Sequence, residues 1–378
     1  MQLSIPLSLY IHIPWCVRKC PYCDFNSHEN KDNFKEELYV KALLLDLDEQ
    51  LPKIQNRPLV SIFFGGGTPS LFSPESIANI LQGVQQRLTF DNNIEITLEA
   101  NPGTVDEARF KGFRDAGVNR LSLGLQSLQD EKLKALGRIH NREYALRAIQ
   151  SAKNAGFKNF NLDIMHGLPN QSVEDAMQDL KDALQFNPPH FSWYQLTIEP
   201  NTFFHYQPPV LPVDDILFDI QEEGKKIIAE YGLKQYEVSA YAKEHQRCKH
   251  NVNYWEFGDY LGIGAGAHSK LTDASGTIHR HWQVKNPKDY LDPTKSFTAS
   301  TSTLTQKDII FEFMLNALRL NDGVSFELFT ARTALHKDNL DSILSKAKSK
   351  KLLTDVADYL QPTPHGQRFL NDLTSMFL

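Results

Sequence analysis

Cysteine is scarce: the chain of 378 residues has four, too few for the disulfide framework of a secreted domain. No apolar run approaches the roughly 20 residues that a membrane-spanning helix needs. The first fourteen residues lack a basic stretch ahead of an apolar one, so they do not read as a signal peptide. Charge of neither sign dominates, and a net charge of −6 gives no electrostatic reason to bind nucleic acid. The basic run of Lys346, Lys348, Lys350 and Lys351 falls in the last turns of a predicted helix, where cations complement the helix dipole. Sequence repeats and low-complexity segments are absent too. These absences leave a globular protein expected in a reducing cytoplasm, without a membrane span, and leave peripheral contact with a membrane open.

What is present is concentrated in one stretch. Three of the four cysteines, Cys16, Cys20 and Cys23, fall in a single C-x3-C-x2-C loop. Three thiolates cannot fill a four-thiolate site, and soft sulfur ligands select iron–sulfur clusters, zinc or copper. An iron–sulfur cube held by three cysteines keeps one iron free for an outside ligand. The competing reading is a zinc knuckle completed by His12 or His28, although zinc ligands usually come as two separated pairs.

The hydrophobic pattern around this loop has a β–α rhythm. Period-two or short apolar strands are expected at 7–13, 59–64, 94–98, 119–123, 158–162 and 190–198. Amphipathic helices are expected at 32–50, 74–88, 105–116, 141–155, 173–186 and 214–231. Six such units predict an α/β fold, a parallel sheet wound into a partial (β/α)6 TIM-like barrel with its site at the carboxyl ends of the strands. The Cys loop, the Gly65-Gly66-Gly67-Thr68-Pro69 run, Glu99, Gln126 and Asp163 all fall at such ends. After about residue 235 the rhythm stops. Strands are expected at 236–241 and 260–264, a turn-rich connection at 271–302, then helices at 307–319, 325–333 and 337–350, a hairpin at 352–360 and a closing helix at 365–378. This predicts three parts: 1–235, the barrel; 236–304, an extension; and 305–378, a small winged-helix-like α+β domain.

The cysteine spacing, with Tyr22 just before the last thiol, resembles the cluster loop of the radical S-adenosylmethionine (SAM) superfamily. The resemblance implies a 4Fe-4S cluster on Cys16, Cys20 and Cys23, with SAM chelating the open iron and yielding a 5′-deoxyadenosyl radical. It extends over nearly the whole chain to the coproporphyrinogen-dehydrogenase branch, where Tyr10, Tyr22, Phe25, Gly66, Gly67, Thr68, Glu99, Gln126, Arg138 and Asp163 match SAM-contacting positions. His250-Asn251-Val252-Asn253-Tyr254-Trp255 is similar to that branch's H-N-x-x-Y-W motif and implies haem contact, with His250 as the first axial-ligand candidate and His268 the next; a core histidine among aromatics is the alternative. Gly262, Gly264 and Gly266 are expected to let a flat ligand approach.

Within the branch the chain is similar to haem chaperones, which implies haem as ligand and haem-accepting apo-proteins of the respiratory chain as partners. The oxidases of the branch carry a further cysteine where Phe25 stands, and a longer arm before the cluster. Both departures argue against oxidative decarboxylation of coproporphyrinogen III, which is the alternative function; a radical SAM enzyme for another substrate is the third.

Overall fold

In the computed structural model, which describes residues 5–30 and 35–378, the β–α rhythm curls into a partial barrel. Its parallel strands are β1 (Leu7–Ile13), β2 (Leu59–Gly66), β3 (Phe90–Ala100), β4 (Arg120–Gln126), β5 (Phe160–His166) and β6 (His190–Gln195), hydrogen-bonded in that order. The main crossover helices are α1 (Glu36–Gln50), α2 (Pro74–Gln85), α3 (Glu107–Asp115), α4 (Arg142–Asn154) and α5 (Val173–Leu184), with α6 (Asp214–Glu230) after β6. The expected start of α1 at residue 32 lies outside the described residues. Alternation decides which way each strand faces. Leu7, Leu9, Ile11 and Ile13 are fully buried in the main apolar core, so the intervening Ser8, Tyr10 and His12 turn to the barrel interior. That interior is polar on every strand, with Ser61, Glu95, Thr97, Arg120, Ser122, Asn161 and His190 all buried.

Beyond the barrel several expectations are corrected. The strand expected at 236–241 is a hairpin, β7 (Lys234–Glu237) and β8 (Ala240–Ala242), with β8 antiparallel to β6 at one sheet edge. The stretch 271–302, expected as a connection, instead carries strands at the opposite edge. There β9 (Asp259–Ile263) lies parallel to β1, and β10 (His268–Thr272), β11 (Ile278–Gln283) and β12 (Thr298–Thr303) follow antiparallel. The polar strand β12, Thr-Ala-Ser-Thr-Ser-Thr, is almost wholly exposed. Backbone pairing and β-branched threonines hold it, so apolar periodicity could not reveal it.

Between β8 and β9, the helix α7 (Lys249–Trp255) stoppers the amino-terminal end of the barrel. Asn253 Nδ2 donates to Ser8 Oγ (2.9 Å) and the Asp259 carbonyl (2.8 Å). Glu95 accepts from the backbone N–H groups of Lys249 and His250, at 3.1 and 3.2 Å. A carboxylate there complements the positive end of the helix.

The carboxyl-terminal helices α8 (Gln306–Ala317), α9 (Phe326–Thr333) and α10 (Asp341–Ser349) share one apolar core around Phe313, Phe329, Leu344 and Phe377. That core also takes Tyr236, Phe257 and Ile278 from the preceding segment. The hairpin expected at 352–360 is paired otherwise: Tyr359–Leu360 lies antiparallel to Val324–Ser325, and Leu353 bridges Pro362. The expected closing helix is two short ones, Pro364–Arg368 and Leu370–Ser375.

Candidate cluster and cofactor site

At the carboxyl ends of the strands a cavity of about 360 Å³ opens, lined by Cys16, Cys20 and Cys23 on one side and by Gly66, Glu99, Gln126, Arg138 and Asp163 on the other. Residues separated by up to 147 positions in the chain meet there because each ends or follows a parallel strand. Cys16 closes a two-residue strand, Trp15–Cys16, paired with His28–Glu29. The loop between turns tightly, the Cys23 N–H donating to the Cys20 carbonyl at 3.1 Å. Arg138 holds the loop from the opposite wall, its Nη2 donating to the Gly124 carbonyl at 2.8 Å and its Nη1 to Cys20 Sγ at 3.6 Å. Burial, then the neighbouring thiols Cys23 and Cys20, push the Cys16 thiol up to about 11. Such a site calls for a cation to stabilise the thiolates.

Neither histidine of the zinc alternative is free. His12 Nε2 donates to the Asn26 carbonyl at 2.9 Å, so its Nδ1 accepts from Tyr10 Oη at 3.0 Å; burial holds this imidazole neutral, down to about 4. His28 Nε2 donates to Asn26 Oδ1 at 3.2 Å. Among the described residues, no three His, Cys, Asp or Glu side chains converge on a single metal-ion position. The donor set instead suits a larger group with several irons, three soft thiolates facing polar oxygen and nitrogen atoms.

The glycine run owes its composition to packing. Gly66 has φ +113°, and a Cβ there would lie 2.6 Å from the His12 ring. The run thereby brings backbone amides up to the cavity, with Gly67 N–H on the Ile13 carbonyl at 2.7 Å and Thr68 N–H on the Trp15 carbonyl at 2.8 Å. Gln126 has φ +70° at an irregularity in the β4–β5 register, a strained turn of the kind that collects at functional sites. Tyr194 holds it, Oη donating to Gln126 Oε1 at 2.6 Å. Asp163 accepts from Ser122 Oγ at 2.9 Å and Asn161 Nδ2 at 2.7 Å.

Burial, then the nearby Asp163 charge, push the Glu99 carboxyl up to about 8, against the Gly66 N–H that it accepts from. The folded chain therefore keeps a proton that the unfolded chain releases above 4.5, and the folded state loses stability as pH rises from there toward 8. Glu99→Gln should remove this cost. The carboxyl borders an open cavity, so only part of the full linkage is expected, about 1–3 kcal/mol at pH 8 and little at pH 5. Thermal unfolding of the metal-free protein at both pH values measures it; an equal or negative effect at pH 8 refutes it.

The structure places two expected residues away from this cavity. Tyr10 lies behind it, on a second cavity of about 540 Å³ whose wall shares Lys19, Phe25 and Ser27 with the first. His250 reaches neither wall. It sits on α7 with 4% exposure, its Nδ1 2.9 Å from Ser61 Oγ and its ring 4.9 Å from and stacked on Phe63, a packed position in the barrel floor. The glycines at 262–266 likewise serve chain-to-chain approach, since a Cβ at Gly262 would lie 2.1 Å from the His268 carbonyl oxygen. Sequence reasoning missed Tyr194, Ser122 and Asn26. Ser122 was findable by period-two alternation along the strand that ends at Gln126; Tyr194, on another strand, and Asn26 carried no such signal. Asn26 Nδ2 donates to the Ala265 and Lys285 carbonyls at 2.9 and 2.8 Å, tying the Cys loop to the far edge of the sheet.

Comparison with known proteins adds relatives. The radical SAM superfamily model matches residues 10–183 and the HemN C-terminal domain model residues 304–369. Heme chaperone HemW of Haemophilus influenzae is 52% identical over 377 residues, 99% of this chain and 98% of that protein. Heme chaperone HemW of Escherichia coli is 50% identical over 373 residues, with 99% and 98% covered. Among solved structures, coproporphyrinogen III oxidase (HemN) from Escherichia coli, a radical SAM enzyme, superposes with a TM-score of 0.83 at 24% identity, covering 99% of this chain and 90% of that one. At that identity it shares the fold.

Proposed function

Since the chain belongs to the HemW family of the radical SAM superfamily, we propose that it is a haem chaperone that binds haem beside a 4Fe-4S cluster and SAM and passes haem to apo-proteins such as respiratory-chain components. The observation that carries this reading is the end-to-end match, at half or more of all positions, to relatives named as haem chaperones. Among the described residues no helix is long and apolar enough to cross a membrane, and delivery in the cytoplasm, with contact at a membrane surface, fits that.

Cys16, Cys20 and Cys23 would hold the cluster, which with SAM supplies one-electron chemistry when bound. Glu99, Gln126, Arg138 and Asp163 surround the remaining volume of the cavity and offer two carboxyl groups, an amide and a guanidinium for the amino, carboxylate and ribose groups of SAM. Gly66, Gly67 and Thr68 present backbone there, and Tyr22 and Phe25 complete the walls. Phe25, 58% exposed, puts an apolar ring where the oxidase branch carries a further cysteine. That favours carrying a porphyrin over oxidising one.

The test is anaerobic reconstitution, then reductant, SAM and coproporphyrinogen III with product masses followed, beside a parallel haem titration. Tight haem uptake with the porphyrinogen unchanged is expected. Loss of two carboxyl groups from the porphyrinogen would make the protein an oxidase instead.

A further inference from the structure

A hydrogen-bonded chain runs through the barrel interior and ends on the Asp163 carboxyl group in the cavity wall. It starts at Tyr236 on β7, whose Oη lies 2.8 Å from His190 Nε2. His190 Nδ1 lies 2.7 Å from Asn161 Oδ1, and Asn161 Nδ2 lies 2.7 Å from Asp163 Oδ1. The link between strands arises because β5 and β6 are paired with Asn161 opposite His190. Tyr236, His190 and Asn161 are each 2% exposed or less, so water does not compete for these bonds.

The chain has one direction. Asn161 Nδ2 spends its two hydrogens on Asp163 Oδ1 and on Ser122 Oγ, the latter at 2.8 Å, so Asn161 Oδ1 can only accept. Burial, then the Arg120 cation, keep His190 neutral, and its one N–H therefore sits on Nδ1, leaving Nε2 to accept from the Tyr236 hydroxyl. Burial alone demands partners for these groups; it does not demand that every donor point toward the one carboxyl group that lines the cavity. Burial pushes that carboxyl up, and the donors Ser122 and Asn161 act against it. The far end is fixed by the carboxyl-terminal helices. Tyr236 belongs to their core, its carbonyl accepts from the Asn321 N–H at 3.0 Å, and the Arg247 guanidinium lies 5.3 Å from the centre of its ring.

We propose that His190 is a positioning residue of the cofactor site: locked in its Nδ1–H tautomer by the Tyr236 hydroxyl, it fixes the Asn161 amide, and the amide fixes the Asp163 carboxyl group with its free lone pairs toward the cavity. The inference rests on the reading of this cavity as a SAM site and deepens it by naming what holds one of the groups that would grip SAM. It also ties the carboxyl-terminal domain to that site through Tyr236, although among the described residues none of 305–378 lines the cavity.

The experiment uses the full chain. Nitrogen NMR shifts of the isotope-labelled histidines report the tautomer, and SAM titration of the reconstituted, reduced cluster, followed by electron paramagnetic resonance, reports cofactor affinity. Wild-type His190 should be neutral and protonated at Nδ1. His190→Phe keeps a ring but no donor and should weaken SAM by about tenfold or more, with the cluster signal in the absence of SAM unchanged. His190→Asn puts an amide N–H where Nδ1 stood and should restore most of the affinity. Tyr236→Phe removes one hydroxyl, and should release the tautomer and weaken SAM by less than His190→Phe does. A merely structural role would lower the denaturant midpoint of all three variants without this order in SAM affinity. Unweakened SAM binding in His190→Phe or Tyr236→Phe, equal weakening in His190→Phe and His190→Asn, or an Nε2–H tautomer in the wild type overturns the proposal and leaves SAM binding intact. A wild-type cluster whose signal ignores SAM overturns both.

Discussion

With serine at Cys16, Cys20 and Cys23 the protein is expected to fold and to take up no iron–sulfur cluster, so that anaerobic reconstitution leaves it colourless. The fold should survive because the thiols contribute little to it. The contacts of Cys16 Sγ with the His28 carbonyl and of Cys23 Sγ with Ser27 Oγ are long, 3.6 Å each, and the hydroxyl of serine can make similar bonds. The cluster should not survive because iron needs three thiolates from this loop, and the three side chains share one cavity wall. Cys248→Ser is the control. That thiol is fully buried and donates to Glu95 Oε1 at 3.4 Å at the opposite end of the barrel, so the variant should reconstitute like the wild type. Visible absorption and iron content measure both. A coloured triple variant, or a colourless Cys248→Ser protein that still folds, would sink the assignment.

Asp259→Ala should be the most destabilising single change outside the cavity, by about 3–5 kcal/mol. The carboxylate is fully buried and holds four partners: Arg57 Nη1 at 2.8 Å, Lys270 Nζ at 2.8 Å, and the backbone N–H and hydroxyl of Thr272 at 2.7 and 3.0 Å. Lys270 is itself 1% exposed, its ammonium 4.2 Å from the centre of the Phe257 ring. Removing the anion leaves that cation buried and unpaired, which costs more than the pair contributed. Despite burial, Lys270 and Arg57 keep Asp259 below its usual range, so it stays charged at any pH where the protein is handled. Asp259→Leu combined with Lys270→Met replaces the pair with apolar volume and should recover part of the loss. Denaturant midpoints measure both; a cost under about 1 kcal/mol for Asp259→Ala would show that the network is solvated. The pair fastens β10 to β9 at the edge of the sheet.

Much of the barrel was legible. Strands such as Leu7–Ile13 alternate because one face meets helices and the other meets polar interior, and each ends in residues with no reason to be there except the cavity. The cysteine loop was legible for a chemical reason, since three thiolates four and three positions apart have few other uses. For His250 the sequence leaves a haem-facing residue and a core histidine both open, because a histidine beside aromatics looks the same whether it lines a cavity or fills a floor. Only the packing of α7 against Ser8, Ser61 and Glu95 distinguishes the two. The edge strands β11 and β12 were invisible for another reason: their order comes from backbone pairing, β11 with β10 and β12 with β11, partners that no local pattern announces.

The sequence by itself determined the fold class, the chemistry of the cluster loop and the set of polar residues at the strand ends, because spacing and alternation are local properties that the chain carries wherever it goes. The tertiary structure alone decided which of those residues share a cavity, that a second cavity abuts the first across Phe25, and that His268 rather than His250 faces open space. Those depend on which strands become neighbours and on where buried polar groups find partners, and both follow from contacts between segments more than two hundred residues apart, as between Asn26 and Ala265.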